Sequence, residues 1–414
     1  MKQENKKEPF IVMYHGGVMP GRGIEMIIRL LVINSDICAI ILGDGDVRYL
    51  DLLKKMADEN KVEERLLFHP AVPHKELWKY VGVADVGMVM IQDVSKSYYL
   101  SLPNKLFENI QALTPVIASD FPEIGRVVNE YGIGVLCNPA DLDSINNAVK
   151  KMMADTVVYK QMKADLLRAK NELCWEQERK RLSQAYKLYL GNEEEISHMK
   201  YVKYMPSHSI IHASRNKREI LIALDEGFCV CVFSDDEKIS ENVVSENIEF
   251  IYDGKCTLTY SMPRWKRYIG IIYNYFVVFF RTCKLQGDVW SCHDLSSLKM
   301  AWFATRFRIC KPKLIYDSHE FELGRNVKRT RLQKWSIKQW ERFLMKRCVF
   351  SIMVNDSIAD EVQQIHKLKE RPIVVRSTPN NWQIDSEACK KVREEFINYF
   401  TQCGERLSER ERLL

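Results

Sequence analysis

The chain has 414 residues, of which 46% are hydrophobic and 28% are charged, so it is long enough for two globular domains that each bury a core. Its twelve cysteines lack the paired spacing of a zinc site, which predicts free thiols in a reducing compartment and no bound metal. Residues 1–193 carry 25 Lys and Arg against 26 Asp and Glu, whereas the remainder carries 36 against 29.

The basic second half fits a partner molecule that bears phosphate, or an anionic membrane surface, and a solvated basic face is the alternative. We expect no nucleic-acid partner. The first eight residues are polar, and no apolar signal-peptide segment follows them, which predicts a cytoplasmic protein.

Short apolar segments alternate with amphipathic segments in the first half. The predicted strands are 11–15, 38–42, 66–69, 86–91, 115–119 and 134–136. The predicted helices are 24–33, 49–59, 105–112, 142–153, 159–171 and 175–189. Strict alternation of strand and helix predicts a parallel, doubly wound sheet.

The alternation stops at 191–195, which has the composition of a linker, and then resumes. In the second half the predicted strands are 209–212, 228–233, 248–252, 288–291, 313–317, 349–354 and 373–375. The predicted helices are 215–226, 264–283, 295–307, 331–346 and 357–366. The sequence therefore predicts two α/β domains rather than one large one.

A glycine-rich segment, 16–23, follows the first predicted strand. Gly16 and Gly17 would let the backbone approach a phosphate closely, and the N-terminus of the next helix favours negative charge. Arg22 could add bidentate hydrogen bonds to a diphosphate. No Gly-Lys-Ser/Thr follows, which excludes a nucleoside-triphosphate P-loop, and a plain turn is the alternative.

Two later segments, 102–108 (LPNKLFE) and 115–123 (PVIASDFPE), resemble the donor-binding segment of retaining family 4 glycosyltransferases. The resemblance implies the GT-B fold, with two Rossmann-like doubly wound domains that face each other across a cleft. It also implies a nucleotide-diphosphate sugar as the donor, transfer of a hexose with retention, and no metal or other cofactor.

The resemblance also implies roles for individual residues. It assigns the donor to Gly16, Gly17, Arg22, Pro103, Asn104, Lys105 and Glu108. Asn104 would cap the following helix, and Glu108 would bind the ribose hydroxyls, with an ordinary surface glutamate as the alternative. The family often has a second glutamate where this chain has Leu100, so backbone N–H groups of 100–103 would contact the sugar, whose identity stays open.

On the acceptor side, His293 and Asp294 end one predicted strand, and Asp317, His319 and Glu320 end the next. Catalytic groups are typical of the carboxyl ends of parallel strands. His319 matches the histidine of the family's cleft and would act with Glu108 in catalysis. The alternative for each histidine–carboxylate pair is a structural hydrogen bond.

The two domains come in the opposite order to that of the family. The resemblance assigns 9–190 to the donor-binding domain, which is normally C-terminal, and 205–380 to the acceptor-binding domain, with 191–204 as a linker. The helical tail, 381–414, resembles the connector that normally leads from the acceptor domain into the donor domain. We interpret the chain as a circular permutation or as a fusion.

Residues 264–281 place aromatic side chains next to clustered Arg and Lys. The apolar part, 268–280, has thirteen residues, which is too short to cross a bilayer. The pattern fits a helix at a membrane interface, where a lipid-linked acceptor would be met, and a buried packing helix is the alternative.

Three functional hypotheses follow. The first is a glycosyltransferase that moves a sugar, with retention, from a nucleotide-diphosphate sugar to a polysaccharide or a lipid-linked acceptor. The second is a GT-B sugar epimerase or phosphorylase. The third is a non-catalytic fusion remnant that only binds nucleotide.

Overall fold

The computed structural model describes residues 8–210, 214–236, 248–255 and 262–411, with side chains up to residue 404. The chain forms two compact units. Unit 1 comprises Met1–Gln177 and Thr378–Leu414, and unit 2 comprises Glu178–Ser377.

Unit 1 contains a six-stranded parallel sheet with the order β3-β2-β1-β4-β5-β6. Its strands are β1 (Phe10–His15), β2 (Ile37–Leu42), β3 (Leu66–His69), β4 (Val86–Val89), β5 (Val116–Ser119) and β6 (Gly134–Cys137). The helices between and after them are α1 (Ile24–Ile33), α2 (Val47–Glu59), α3 (Leu77–Val81), α4 (Lys96–Tyr99), α5 (Asn104–Gln111), α6 (Pro122–Tyr131), α7 (Leu142–Ala154) and α8 (Thr156–Glu172).

Burial explains why the central strands of unit 1 are continuous apolar runs. All six residues of β2, and five of the six of β1, are buried. Helices cover both faces of a doubly wound parallel sheet, so neither face of its central strands meets water. α1 buries Ile24, Ile27, Ile28 and Leu31, which have the three- and four-residue spacing of one helix face.

The chain passes into unit 2 within α9 (Trp175–Leu190). Unit 2 contains a seven-stranded parallel sheet with the order β13-β12-β11-β10-β7-β8-β9. Its remaining elements are, in chain order, α10 (Glu193–Ser197), β7 (Lys200–Tyr204), α11 (Ser214–Asp225), β8 (Cys229–Ser234), β9 (Ile248–Tyr252), α12 (Arg264–Lys284), β10 (Val289–Cys292), α13 (Leu295–Thr305), β11 (Lys313–Asp317), α14 (Arg331–Met345), β12 (Phe350–Met353), α15 (Asp356–His366) and β13 (Ile373–Val374). The chain then returns to unit 1 and ends in α16 (Ser386–Glu411).

Both sheets are doubly wound, which confirms the predicted fold class of two Rossmann-like domains. The strand order reverses between β1 and β4 in the first sheet, and between β7 and β10 in the second. Ligands of such folds bind outside the carboxyl ends of the strands at the point of reversal. Each unit therefore has one position at which a ligand site is expected.

The predicted linker, 191–204, is wrong because it contains α10 and β7, a central strand of the second sheet. The strand predicted at 209–212 is also wrong at residues 209 and 210, and the rest of it lies outside the described residues. The sequence analysis missed β7 because its sequence, KYVKY, contains two lysines and is not continuously apolar. In the structure, Lys203 of this strand is nevertheless fully buried.

The C-terminal segment belongs to unit 1, where Val392, Phe396 and Phe400 of α16 pack in one core cluster with Ile11 and Met13 of β1. The predicted tail is therefore part of this domain. The first stretch of unit 1 ends at Gln177, before the predicted boundary at 190. Over the described ranges, no helix is long and apolar enough to cross a membrane.

Candidate functional site

The loop between β1 and α1 lies at the carboxyl edge of the first sheet, next to the strand-order reversal. The Tyr14 hydroxyl donates a hydrogen bond to the Gly17 carbonyl oxygen at 2.6 Å, and the Val18 amide donates to the Asp44 carbonyl oxygen at 2.9 Å. Gly16 has a φ of 106°, and a β-carbon added there would meet no atom within 4 Å. The loop is thus held in place while open space remains beside Gly16.

Arg22 lies at the end of this loop, with its guanidinium carbon 4.8 Å from the centre of the Tyr98 ring. Its side chain is half-buried, and within the described ranges it donates no hydrogen bond. A guanidinium that is stacked on a ring keeps its N–H groups in a fixed plane, which suits an oxyanion.

Lys105 is the most unusual group of unit 1. It is 7% exposed, and its Nζ has no hydrogen-bond partner. The Nζ atom lies 3.6 Å from the centre of the Tyr14 ring. Burial lowers the pKa of Lys105 well below its usual value and the charge of Arg22 lowers it further, while Glu108 opposes the shift. A buried amine without a partner is costly, and a bound anion would supply the missing one.

The N-terminus of α5 adds donors to the same region, although not in the predicted way. Pro103 is the N-cap residue and no side chain caps the helix, so the prediction that Asn104 is the cap is wrong. Asn104 is already helical and its side chain is exposed. The amides of Asn104 and Lys105 still have no acceptor within the helix, because they lie in its first turn.

The predicted backbone contacts to a sugar are wrong for three of the four residues in 100–103. The Leu100 amide donates to the Lys96 carbonyl oxygen, and the Ser101 amide donates to the Tyr98 carbonyl oxygen. Pro103 has no N–H to donate.

Glu108 lies between two histidines that the sequence analysis did not identify. Its Oε2 atom is 3.0 Å from His15 Nε2, and its Oε1 atom is 3.4 Å from His74 Nε2. The Glu108 side chain is 14% exposed, so the surface-glutamate alternative is wrong. Burial raises the pKa of Glu108, but the hydrogen bonds from His15 and His74 outweigh burial and lower that pKa to about 2.

We expect Glu108→Gln to lower the free energy of unfolding by about 1.5–3 kcal/mol at pH 7, because the amide cannot replace the charge-assisted bonds. The folded-state pKa is depressed, so this stabilisation is present above about pH 4.5 and is lost as the pH falls towards 2. Urea unfolding of both proteins along a pH series measures the difference. Glu59→Gln, at an exposed surface pair, is the control and should change stability little.

Three histidines follow three neighbouring strands of the second sheet. His208 follows β7, His293 follows β10 and His319 follows β11. The ring centres of His208 and His293 are 4.6 Å apart, and those of His293 and His319 are 4.2 Å apart. The cluster therefore lies at the strand-order reversal of unit 2. The sequence analysis missed His208 because it misplaced β7.

Asp317 links this cluster to a buried ionic network. The carboxylate accepts hydrogen bonds from Lys203 Nζ at 2.8 Å, Arg215 Nη2 at 3.0 Å and His319 Nε2 at 3.1 Å. Burial raises the pKa of Asp317, but the two cations and His319 outweigh burial and hold it well below its usual value.

Glu219 of α11 completes the network. Its two oxygens bind Lys203 Nζ at 2.6 Å and Arg215 Nε at 2.7 Å. Burial lowers the pKa of Lys203, yet Asp317 and Glu219 outweigh burial and raise it above its usual value. Two cations and two anions thus neutralise one another in a buried network that His319 contacts through Asp317. None of Lys203, Arg215 and Glu219 was identified from the sequence.

The hydrogen bonds assign the tautomers of two histidines. His319 uses Nε2 to bind Asp317, which leaves Nδ1 as the atom available to a ligand, and its side chain is 26% exposed. Burial, together with the neighbouring His319 and Lys203, lowers the pKa of His293 to about 2, so its ring is neutral. Asn216 Nδ2 donates to His293 Nδ1 at 3.2 Å, so the His293 proton lies on Nε2.

Within the described residues, His293, Asp317 and His319 form a group whose ligand atoms all lie within 4.8 Å of one another. That spacing would suit a metal ion. Asp317 offers little free negative charge to such an ion, because Lys203 and Arg215 already bind its two oxygens.

Two predicted acceptor-side residues have structural partners. Asp294 caps α13, where its Oδ1 atom accepts a hydrogen bond from the Ser297 amide at 2.7 Å. The Glu320 side chain is 58% exposed and pairs with Arg325 at 2.9 Å, so it does not join the histidine cluster.

The donor-side residues predicted from sequence all lie in unit 1, and the acceptor-side residues all lie in unit 2. Residues 1–166 match the family model described as "Glycosyl transferases group 1". No curated protein matches the chain at a significant level.

Several solved structures are similar to part of the chain. HepE from Anabaena, solved in complex with UDP and glucose, is 17% identical with a TM-score of 0.34, over 38% of this chain and 42% of that protein. Sucrose-phosphate synthase from Thermosynechococcus elongatus is 23% identical with a TM-score of 0.34, over 39% and 41%. The C-terminal domain of the group 1 glycosyl transferase LpcC from Francisella tularensis is 15% identical with a TM-score of 0.33, over 39% and 85%.

The match to HepE spans less than half of that protein's length, and TM-scores this low assign neither an activity nor a substrate. The family match covers the β1–α1 loop, Lys105 and Glu108. By its sequence, the 1–166 segment is therefore similar to the group 1 glycosyl transferases.

Proposed function

We propose that the protein is a retaining glycosyltransferase. Unit 1 binds a nucleotide-diphosphate sugar, and unit 2 binds the glycan or lipid-linked acceptor of the sugar. The observation that carries the proposal is the Lys105 amine, which is buried and unpaired close to the open glycine loop and to the cation Arg22. The family match of residues 1–166 supports the same assignment.

A diphosphate fits the donors of unit 1. Arg22 and Lys105 supply positive charge, and the first amides of α5 point out of the helix N-terminus, which favours an anion. With two protein cations present, we propose that the leaving diphosphate is stabilised without a metal ion. Transfer activity that persists in excess EDTA would support this part of the proposal.

Glu108 is suited to hold the nucleoside. Each of its oxygens already accepts one hydrogen bond from a histidine, at 3.0 and 3.4 Å. A carboxylate oxygen has two lone pairs, so both oxygens can still accept from ribose hydroxyls. His15 and His74 then act as positioning residues that fix the carboxylate.

His319 is the residue that we propose to contact the reacting groups. Asp317 holds its ring by Nε2, and Nδ1 is left to polarise the acceptor hydroxyl or to hold the donor sugar. In this proposal the leaving phosphate takes the acceptor proton, so His319 does not have to be the general base.

We expect His319→Ala to slow sugar transfer at least tenfold, which is about 1.4 kcal/mol in the barrier, while binding of the donor nucleotide persists. Transfer from a radiolabelled nucleotide sugar and calorimetry of nucleotide binding measure the two effects. His198→Ala, at an exposed histidine of unit 2, is the matched control. Unchanged transfer by the His319 variant would remove this residue from the mechanism.

The order of the units is proposed to result from circular permutation. In support, α16 packs beside β1 in unit 1, as the last part of a connector into this domain would. Moving residues 1–191 to follow Leu414, which leaves α10 and its N-cap Asn192 intact, should keep a folded and active protein. Two separately folded but inactive units would instead favour the fusion remnant.

A further inference from the structure

Helix α12 is attached to unit 2 along a narrow stripe. Its buried residues are Asn274, Val278 and Thr282, which follow one another at intervals of four. Most of the other apolar side chains are exposed, including Trp265 at 61% and Tyr268 at 69%. Apolar exposure of this extent on one helix is typical of an interaction surface.

The surface continues over the neighbouring helices. The three connections that contain α12, α13 and α14 all move across the sheet towards the β13 edge, from β9 to β10, from β10 to β11 and from β11 to β12. Because such crossovers are right-handed, all three helices lie on one face of the sheet. α13 packs against both α12 and α14. We define the aromatic–basic face as α12 together with the exposed side chains on or just beyond α13 and α14, namely Phe303, Phe307, Leu332 and Trp335.

The charge of this face has one sign. Residues 264–284 contain five Lys or Arg and no Asp or Glu. Arg264 and Lys266 are exposed in the first turn of α12, beside Trp265, and Arg331 and Lys334 are exposed in the first turn of α14. The complementary partner is therefore negatively charged and accepts aromatic and aliphatic side chains.

The aromatic–basic face reaches the candidate site. Helices that connect parallel strands begin at the carboxyl edge of the sheet and run back to the opposite edge. The first turns of α12 and α14, with Trp265 and Trp335, thus begin at the edge that carries His293 and His319.

We propose that the aromatic–basic face binds an anionic lipid surface and presents a lipid-linked acceptor to His319. Aromatic side chains with flanking cations are typical of helices that lie in the membrane interface. A second copy of the chain is a poorer occupant, because a symmetric contact would bring two basic helices together. The acceptor part of this inference rests on the proposed function, whereas the lipid contact does not.

Co-flotation with vesicles tests the lipid contact. The full chain should float with phosphatidylcholine vesicles in which roughly one lipid in three is phosphatidylglycerol, float poorly with pure phosphatidylcholine, and dissociate as salt is raised. Trp265→Ser combined with Tyr268→Ser should weaken flotation at least tenfold. Arg264→Glu combined with Lys266→Glu should abolish the preference for anionic lipid.

Leu188→Ser is the matched control, because Leu188 is an apolar residue of unit 2 that is 76% exposed outside this face. Equal flotation of wild type and the Trp265/Tyr268 variant would overturn the inference, as would a stable dimer that these substitutions dissociate. The assay contains no nucleotide, so it is independent of the proposed function. Failure of the wild-type chain to float, together with intact transfer to a soluble glycan, would overturn the lipid inference alone. Flotation of the wild-type chain without nucleotide binding would overturn the proposed function alone.

Discussion

Asp317→Ala is expected to lower the free energy of unfolding by about 3–5 kcal/mol, because it leaves two buried cations, Lys203 and Arg215, to share the one charge of Glu219. Lys203 Nζ and Arg215 Nη2 bind the two oxygens of Asp317 at 2.8 and 3.0 Å, and the Asp317 and Lys203 side chains are fully buried. Neither cation can turn to water without disrupting the sheet. Urea unfolding followed by circular dichroism measures the loss.

Two further variants test whether unbalanced buried charge causes the expected loss of stability in Asp317→Ala. Lys203→Met combined with Asp317→Leu removes one cation with one anion, and it should be much more stable than Asp317→Ala, because Arg215 and Glu219 remain paired. Asp294→Ala removes a helix cap on the neighbouring strand end and should cost only about 1 kcal/mol. If Asp317→Ala lowered the free energy of unfolding by less than about 1 kcal/mol, the stabilising role of the ionic network would be contradicted.

Lys105→Met is expected to weaken the binding of nucleoside diphosphate about 10- to 150-fold while leaving nucleoside binding nearly unchanged. The loss corresponds to one charge-assisted phosphate contact of about 1.5–3 kcal/mol. The fold should not be destabilised, since the amine has no hydrogen-bond partner in the structure and methionine can still pack against the Tyr14 ring. Calorimetry and thermal unfolding measure the two effects.

Weaker diphosphate binding without a loss of stability would distinguish a ligand contact from a structural role. Lys55→Met, at a lysine that is 77% exposed, is the control and should change neither quantity. If Lys105→Met were less stable than the wild type and yet bound diphosphate normally, the amine would have a structural role rather than a ligand-binding role. Arg22→Ala should also weaken diphosphate binding, because Arg22 lies at the end of the β1–α1 loop and close enough to Lys105 for its charge to lower the pKa of that lysine.

The fold followed from local sequence wherever strands were continuously apolar. β1, β2 and β11 lie within one residue of the predicted positions, because buried strands of a parallel sheet consist of residues such as Val, Ile and Leu. β7 did not follow this rule. The burial of its Lys203 depends on Glu219 and Asp317, which lie far away in sequence, and no local pattern reports that pairing.

The candidate site divides in the same way. The positions of the glycine loop and of His319 were predictable, because both follow the carboxyl ends of strands, where ligands of parallel sheets bind. His15 and His74 were not predictable, because their role depends on long-range packing that brings Glu108 of α5 between the end of β1 and the segment after β3. The position of α16 in unit 1 likewise depends on contacts with β1 at the other end of the chain.

Calorimetric titration of the full chain with a nucleoside diphosphate and with its nucleoside tests the central claim most directly. The uridine, guanosine and adenosine pairs are compared at one salt concentration. At least one nucleoside diphosphate should bind more than tenfold tighter than its nucleoside, because we propose that Arg22, Lys105 and the start of α5 bind the phosphates. Equal affinity within every pair, or no binding at all, would contradict a nucleotide-diphosphate site in unit 1.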